Sequence, residues 1–156
     1  MPEKPRTAGG YRGEHLALVR ATCLYIATKL GDLMDDLVVV GGLVPSLLVD
    51  QESGEAGFER HAGTMDLDIG LTAALLDRGK YREISDRLRR SGFAPDDNAA
   101  GNPTRQRWKI VAREKVTIDF LMPPTSADER GGSLRDLEPD FAAVVTPGLH
   151  LAFRDR

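Results

Sequence analysis

The sequence predicts an α/β protein, strands interleaved with helices, and three observations carry that prediction. Apolar residues recur at steps of three and four over residues 14–31, which is the helical period. A compact β-branched run at Leu37–Val40 and an alternating run at 65–71 have strand character. Two further strand-like runs, 105–111 and 115–121, lie close together and predict a hairpin. Helical and strand periods interleaved along 156 residues, 41% of them apolar, are enough for one sheet, its covering helices and one core. Residues 1–13 read as a flexible N-terminal tail and 14–156 as a single domain.

In the first helix Leu16, Val19, Cys23, Ile26 and Leu30 form one stripe, and Gly31 is a stop. The run Leu37-Val38-Val39-Val40 predicts a strand covered on both faces. It leads into Gly41 and Gly42. Pro45, whose missing N–H costs nothing in a first turn, then predicts a short helix over 43–49. Residues 50–64 lack periodicity and predict a surface excursion. In Met65-Asp66-Leu67-Asp68-Ile69-Gly70-Leu71 the apolar side chains alternate with both acids, which therefore share one face of a strand. Tyr81, Ile84 and Leu88 mark the buried side of another helix ended by Gly92. Its outer side pairs Glu83 with Arg87 and Asp86 with Arg90, and Arg87, Arg89 and Arg90 read as a solvated face.

The hairpin register follows from matching apolar to apolar. A three-residue loop through Ala112, Arg113 and Glu114 sets Trp108 opposite Ile118 and Ile110 opposite Val116, whereas a two-residue loop sets Trp108 against Asp119. The first register brings Arg107 across from Asp119, with Arg105 and Lys109 on the same face. Beyond Pro123-Pro124, residues 125–132 are loop-like, and strands are expected at Phe141–Val145 and Leu149–Phe153.

The formal net charge of −3 gives no global basic footprint, so any nucleic-acid contact falls to a local patch. The one cysteine, Cys23, excludes an internal disulfide, fits a reducing compartment, and sits among apolar neighbours as a buried residue does. The N-terminus has no apolar signal region, and the longest apolar stretch, 37–49, is shorter than a bilayer span and interrupted by Gly41, Gly42 and Pro45. A cytoplasmic protein with no membrane segment is expected.

Asp66 and Asp68 stand about 7 Å apart along one strand face, where they repel each other, and partial burial sharpens the repulsion. A divalent cation reverses its sign. Mg²⁺ suits such a pair because it takes oxygen ligands, keeps several waters and uses one or two carboxylates beside substrate phosphates. The same alternation also describes the wet side of a half-exposed strand. Thr64 and Thr117 flank the acids as candidate supporting donors. His61 precedes them in a loop, and His15 and His150 have no partners at zinc-ligand spacing. Ser46 has no histidine partner for hydrolase chemistry. Trp108 reads as core.

Strand, Gly41-Gly42, helix start, the acids of 65–71 and Asp119 within Val116-Thr117-Ile118-Asp119-Phe120 stand in a meaningful order. This G-G…D-x-D…h-D-h pattern resembles the nucleotidyltransferase superfamily related to DNA polymerase β. The segments His61-Ala62-Gly63-Thr64-Met65-Asp66-Leu67-Asp68-Ile69 and Ile118-Asp119-Phe120-Leu121 look most like its AbiEii/AbiGii-type toxin branch. The resemblance covers residues 37–122. It implies a nucleotidyltransferase-like fold, a mixed β-sheet flanked by helices, in which Gly41 and Gly42 let the backbone approach a nucleoside triphosphate and the following helix start offers amides to its phosphates. Asp66, Asp68 and Asp119 would be the catalytic and metal-holding acids of a two-metal Mg²⁺ site. Ser46, Arg107 and Lys109, with Arg105 beside them, would serve the triphosphate.

The chain departs from the family at three points. Gly42 stands where a serine is common, leaving Ser46 as the nearest hydroxyl. Twenty-four positions separate Gly42 from Asp66, longer than usual, which the excursion at 50–64 absorbs. The helical region that generally follows in AbiEii-type proteins has no counterpart here, so the domain is expected to lack it. The implied function is transfer of a nucleoside monophosphate from an NTP to an acceptor hydroxyl of RNA, such as tRNA, or of protein. Such an enzyme would be the toxin of a toxin–antitoxin or abortive-infection system with an antitoxin partner. Two alternatives stay open: a small-molecule transferase of the aminoglycoside-modifying type, and a catalytically silent nucleotide- or partner-binding module.

Overall fold

The computed structural model describes residues 13–49, 63–72, 78–111 and 115–154. Helix α1 (Gly13–Leu30) buries Val19, Cys23, Ile26 and Leu30, the stripe that its period predicts. A 3-10 turn, Gly31–Asp36, opens on Gly31 in the left-handed region and leads into strand β1 (Leu37–Val40). A second 3-10 turn, Gly41–Leu43, feeds the five-residue helix α2 (Val44–Leu48), with Pro45 in its first turn. Strand β2 (Asp66–Leu71), helix α3 (Arg78–Arg90), and strands β3 (Ala94–Asp97), β4 (Pro103–Val111), β5 (Lys115–Met122), β6 (Leu134–Glu138) and β7 (Phe141–Val145) follow, with a last 3-10 turn at Leu149–Phe153.

Among the described residues the strands form one mixed sheet of seven flanked by helices, the arrangement that the resemblance implies, although neither β3 nor β6 is among the strands expected from the sequence. Strands β1, β2, β5, β4 and β3 lie side by side in that order. Strand β7 joins β5 through Leu121 and Met122, past the stretch that β4 covers, and carries β6 on its outer side. The pairs β2 with β5 and β5 with β7 are parallel, and the others are antiparallel. The β4–β5 register pairs Trp108 with Ile118, Ile110 with Val116 and Arg107 with Asp119, the register that apolar matching selects.

One apolar cluster joins Val19, Ile26 and Leu30 of α1 and Ile84 and Leu88 of α3 to Leu67, Ile69, Ile118 and Phe120 of the sheet. Trp108, Phe120 and Phe141 are fully buried and meet edge to face, with centroids 4.9–6.4 Å apart. The Trp108 indole N–H donates to the Arg105 carbonyl at 3.2 Å, and the Arg89 guanidinium lies 5.3 Å from its ring centroid. Burial raises the pKa of the Cys23 thiol, as its apolar setting requires.

Several expectations are corrected. Strand β1 is not covered on both faces, since only Leu37 of it is buried, and among the described residues it lies at the edge of the sheet with β2 as its partner. Residues Leu149–Phe153 form a 3-10 turn, since Gly148 in the left-handed region turns the chain after Pro147. Leu149 then packs near Gly70, where an added Cβ would come within 3.3 Å of it. Strand β3, Ala-Pro-Asp-Asp, has no apolar alternation of its own and is recruited by β4. Arg87 is not a solvated cation: it donates to the Leu30 carbonyl and to Asp32, both at 2.6 Å, and pairs with Glu83. It therefore ties α3 to the C-terminus of α1. The Asp86 carboxylate pairs with Arg89 at 3.0 Å, while Arg90 donates from Nε to the Asp86 backbone carbonyl at 3.3 Å. Residues 1–12, 50–62 and 112–114 lie outside the described residues, and with them the expected hairpin loop, most of the surface excursion and all of the expected tail except Gly13, which opens α1 instead. Among the described residues no helix is long and apolar enough to cross a membrane.

Two outcomes follow for stability. Trp108→Ala lowers the free energy of unfolding by about 3–5 kcal/mol in urea titrations, because a full aromatic contact set is lost. The hydrogen bond from Arg87, ahead of its charge, holds the Asp32 carboxyl below its ordinary pKa. Its stabilisation is present above the unfolded-state value and disappears as the pH falls through the folded one. Wild type is therefore more stable than Asp32→Asn at neutral pH, and the gap closes below about pH 4, as thermal melts across pH will record.

Candidate functional site

The polar face of β2 is assembled from its neighbours. Leu67, Ile69 and Leu71 are buried in the core, so alternation turns Asp66 and Asp68 to the opposite face, where both are half-buried. Parallel pairing with β5 sets Asp66 beside Thr117 and Asp68 beside Asp119. Antiparallel pairing with β1 sets Val40 beside Asp68 on the other flank. The chain leaves β1 at this point.

Gly41 follows with φ of +73°, a conformation that side chains resist, and a Cβ built on it would overlap Asp68 Oδ2. The backbone therefore lies directly against the Asp68 carboxylate. A Cβ on Gly42 would come within 3.0 Å of the Thr64 side chain, so the second glycine is also closely packed. Leu43, fully buried in the main cluster, anchors this turn. Thr64 is buried, and its hydroxyl, 3.0 Å from both Asp66 Oδ1 and the Asp66 carbonyl oxygen, shares its proton between them. Thr64 thus orients Asp66.

Strand β4 adds a cation. Arg107 donates from Nε to Asp119 Oδ1 at 2.6 Å and from Nη2 to Asp119 Oδ2 at 2.5 Å, a bidentate pair on partly buried side chains. Its pKa is raised, first by the hydrogen bonding to Asp119 and further by the charges of Asp119, Asp66 and Asp96. Lys109 is drawn elsewhere: its ammonium sits 2.7 Å from Asp97 and 3.1 Å from the fully buried Asp96, both on β3. Arg105 pairs with Asp136 on β6 at 2.7 Å, on the rim of an open cleft of about 270 Å³. Of the three β4 cations, Arg107 alone pairs with a carboxylate of the predicted triad.

The sequence prediction is thus sorted by the fold. Asp66, Asp68, Asp119, Gly41, Gly42 and Arg107 come together on adjacent strand positions and the turn beside them. Ser46 does not join them, since its buried hydroxyl donates to the Leu43 carbonyl at 2.7 Å. Helix α2, with five residues, is too short to present a helical N-terminus to phosphate, which corrects the expectation that the helix start offers its amides. His61 lies outside the described residues. Asp96 was not anticipated. The turn signal that could have found its strand is Asn98, whose side chain accepts from the Ala100 and Asn102 amides just before β4.

Among the described residues no three His, Cys, Asp or Glu side chains stand grouped as metal ligands, and Asp119 has both oxygens on Arg107. The donor chemistry nevertheless fits a hard cation. Asp66, Asp68 and Asp119 supply oxygen alone, which suits Mg²⁺ over softer metals. The side chain missing at Gly41 also leaves clear the space that a Cβ would take from Asp68.

Comparison with models of known protein families and with curated proteins finds no match to this chain. The geometry of the turn makes its own demand. Gly41→Ala lowers stability by about 1–2 kcal/mol through the left-handed backbone, and forces Asp68 aside. Thermal unfolding measures the first effect, and the chemical shifts of Asp68 and Asp119 in NMR spectra report the second.

Proposed function

We propose that this chain is a Mg²⁺-dependent nucleotidyltransferase, related to the DNA polymerase β-like superfamily and to its AbiEii/AbiGii-type toxins. It would move a nucleoside monophosphate from an NTP to a hydroxyl of RNA, such as tRNA, or of protein. The observation that carries this reading is the placement of Asp68 beside Asp119 in register, with the Gly41 backbone lying against Asp68. A structural sheet has no need of adjacent carboxylates next to a glycine turn. Side-by-side carboxylates repel each other, Arg107 offsets the charge of Asp119, and a divalent cation would offset that of the group as a whole.

Asp66, Asp68 and Asp119 would hold Mg²⁺. When bound, the cation offsets charge on the triphosphate and makes the acceptor hydroxyl easier to deprotonate. The Gly41-Gly42 amides approach the phosphates without side chains in the way. Thr64 keeps Asp66 in its orientation. Asp119 accepts the acceptor's proton at a carboxylate oxygen as the hydroxyl oxygen bonds to the α-phosphorus. The bond to the pyrophosphate oxygen breaks, and pyrophosphate leaves. The setting for such a toxin is the cytoplasm, with its NTP pool, its RNA and an antitoxin partner. The bidentate hold of Arg107 on Asp119 favours a second reading, a nucleotide-binding module without turnover.

Purified protein incubated with Mg²⁺, each α-labelled NTP in turn, and cellular RNA or protein is expected to transfer label. Asp66→Ala or Asp68→Ala should reduce transfer at least about a hundredfold with the fold retained. Equal labelling by these variants refutes the proposed centre. NTP binding without transfer by wild type selects the silent module.

A further inference from the structure

Building on the nucleotidyltransferase reading, we propose that Arg107 is an exchangeable counter-cation. It holds Asp119 until a divalent cation takes that carboxylate, and then passes to the phosphates of the bound triphosphate.

The geometry of the pair points to exchange. A guanidinium fork on Oδ1 and Oδ2 covers both oxygens of Asp119, the same lone pairs that a hard cation needs. Arg107 and a metal ligated by Asp119 therefore compete. Arg105 and Lys109 stand away from the centre, on Asp136 and on Asp96 with Asp97, so Arg107 is the β4 cation placed at Asp119. Asp119, Asp66 and Asp96 all act on Arg107, and a doubly charged ion offsets this acidic field more strongly than one guanidinium does. The Arg107 side chain keeps 29% of its surface exposed, which leaves it room to move. Released, it stays tethered to β4 beside Asp119, and its fork matches two phosphate oxygens as well as it matched two carboxylate oxygens. No covalent step is involved.

The exchange predicts effects of opposite sign on two ligands. Mn²⁺ binding is followed by electron paramagnetic resonance, and binding of inorganic tripolyphosphate with Mg²⁺ by calorimetry, for wild type, Arg107→Gln, Arg107→Lys and Arg105→Gln. Arg107→Gln is expected to bind Mn²⁺ about tenfold tighter and Mg²⁺-tripolyphosphate about tenfold weaker, within the usual range of coupling between sites. Arg107→Lys, which keeps the charge and loses the fork, should fall between wild type and Arg107→Gln for both ligands. Arg105→Gln removes a charge without touching Asp119 and should change Mn²⁺ affinity less than about twofold.

Circular dichroism establishes that each variant is folded, and Arg107→Lys carries the test should Arg107→Gln fail to fold. Unchanged Mn²⁺ affinity in the Arg107 variants overturns the exchange while leaving the transferase reading standing. So does an equal gain in Arg105→Gln, which would reflect diffuse charge, or undiminished tripolyphosphate binding. Absence of Mn²⁺ binding in wild type and every variant overturns both.

Discussion

The register of β2 between its two neighbours is the constraint from which the candidate site follows. Leu67 and Ile69 pair with Ile118 and Phe120 in the core, and this apolar match excludes any alignment of β2 with β5 shifted by one residue. A slip of one residue would turn Asp66 and Asp68 inward and Leu67 and Ile69 outward, burying carboxylates at several kcal/mol each. The hydrophobic effect on one face therefore sets the acids side by side on the other. Core burial opposes their mutual repulsion, and the bidentate Arg107 offsets the charge of Asp119.

Behind that face, Trp108, Phe120 and Phe141 interlock strands β4, β5 and β7 edge to face. Trp108 faces the core and its neighbour Arg107 faces the acids, so the aromatic cluster determines where the guanidinium fork arrives. Arg89 spreads over the Trp108 ring and pairs with Asp140, connecting α3 to the same cluster. Packing and electrostatics thus meet at one pair of strands. The bidentate bond is made possible by backbone alignment that the apolar side already specifies.

The opposite flank works through small residues. Gly41 is in the left-handed region and lets the chain turn against Asp68, while Gly42 packs on Thr64, which in turn holds Asp66. Leu43 pins this arrangement into the core. Among the described residues two glycines, a threonine and a leucine border the carboxylates on this flank, and the threonine hydroxyl bonds to Asp66.

By itself, the sequence determined whatever depends on local period and cross-strand matching. The α1 stripe, the alternation of β2, the burial of Trp108 and the β4–β5 register all follow from apolar spacing, and with that register came the facing of Arg107 and Asp119. Tertiary structure decided what depends on partners distant along the chain. Ala-Pro-Asp-Asp became strand β3 only because β4 offered an open edge, and its Asp96 and Asp97 then took Lys109 away from the acids. Leu30, 57 residues from Arg87, supplied the carbonyl that converts an apparently solvated cation into a helix tie. Ser46 turned to its own helix start. A polar side chain goes to whichever complementary atom the fold brings within about 3 Å, whereas an apolar one needs only a face turned away from water, so spacing predicts the core better than it predicts polar partners.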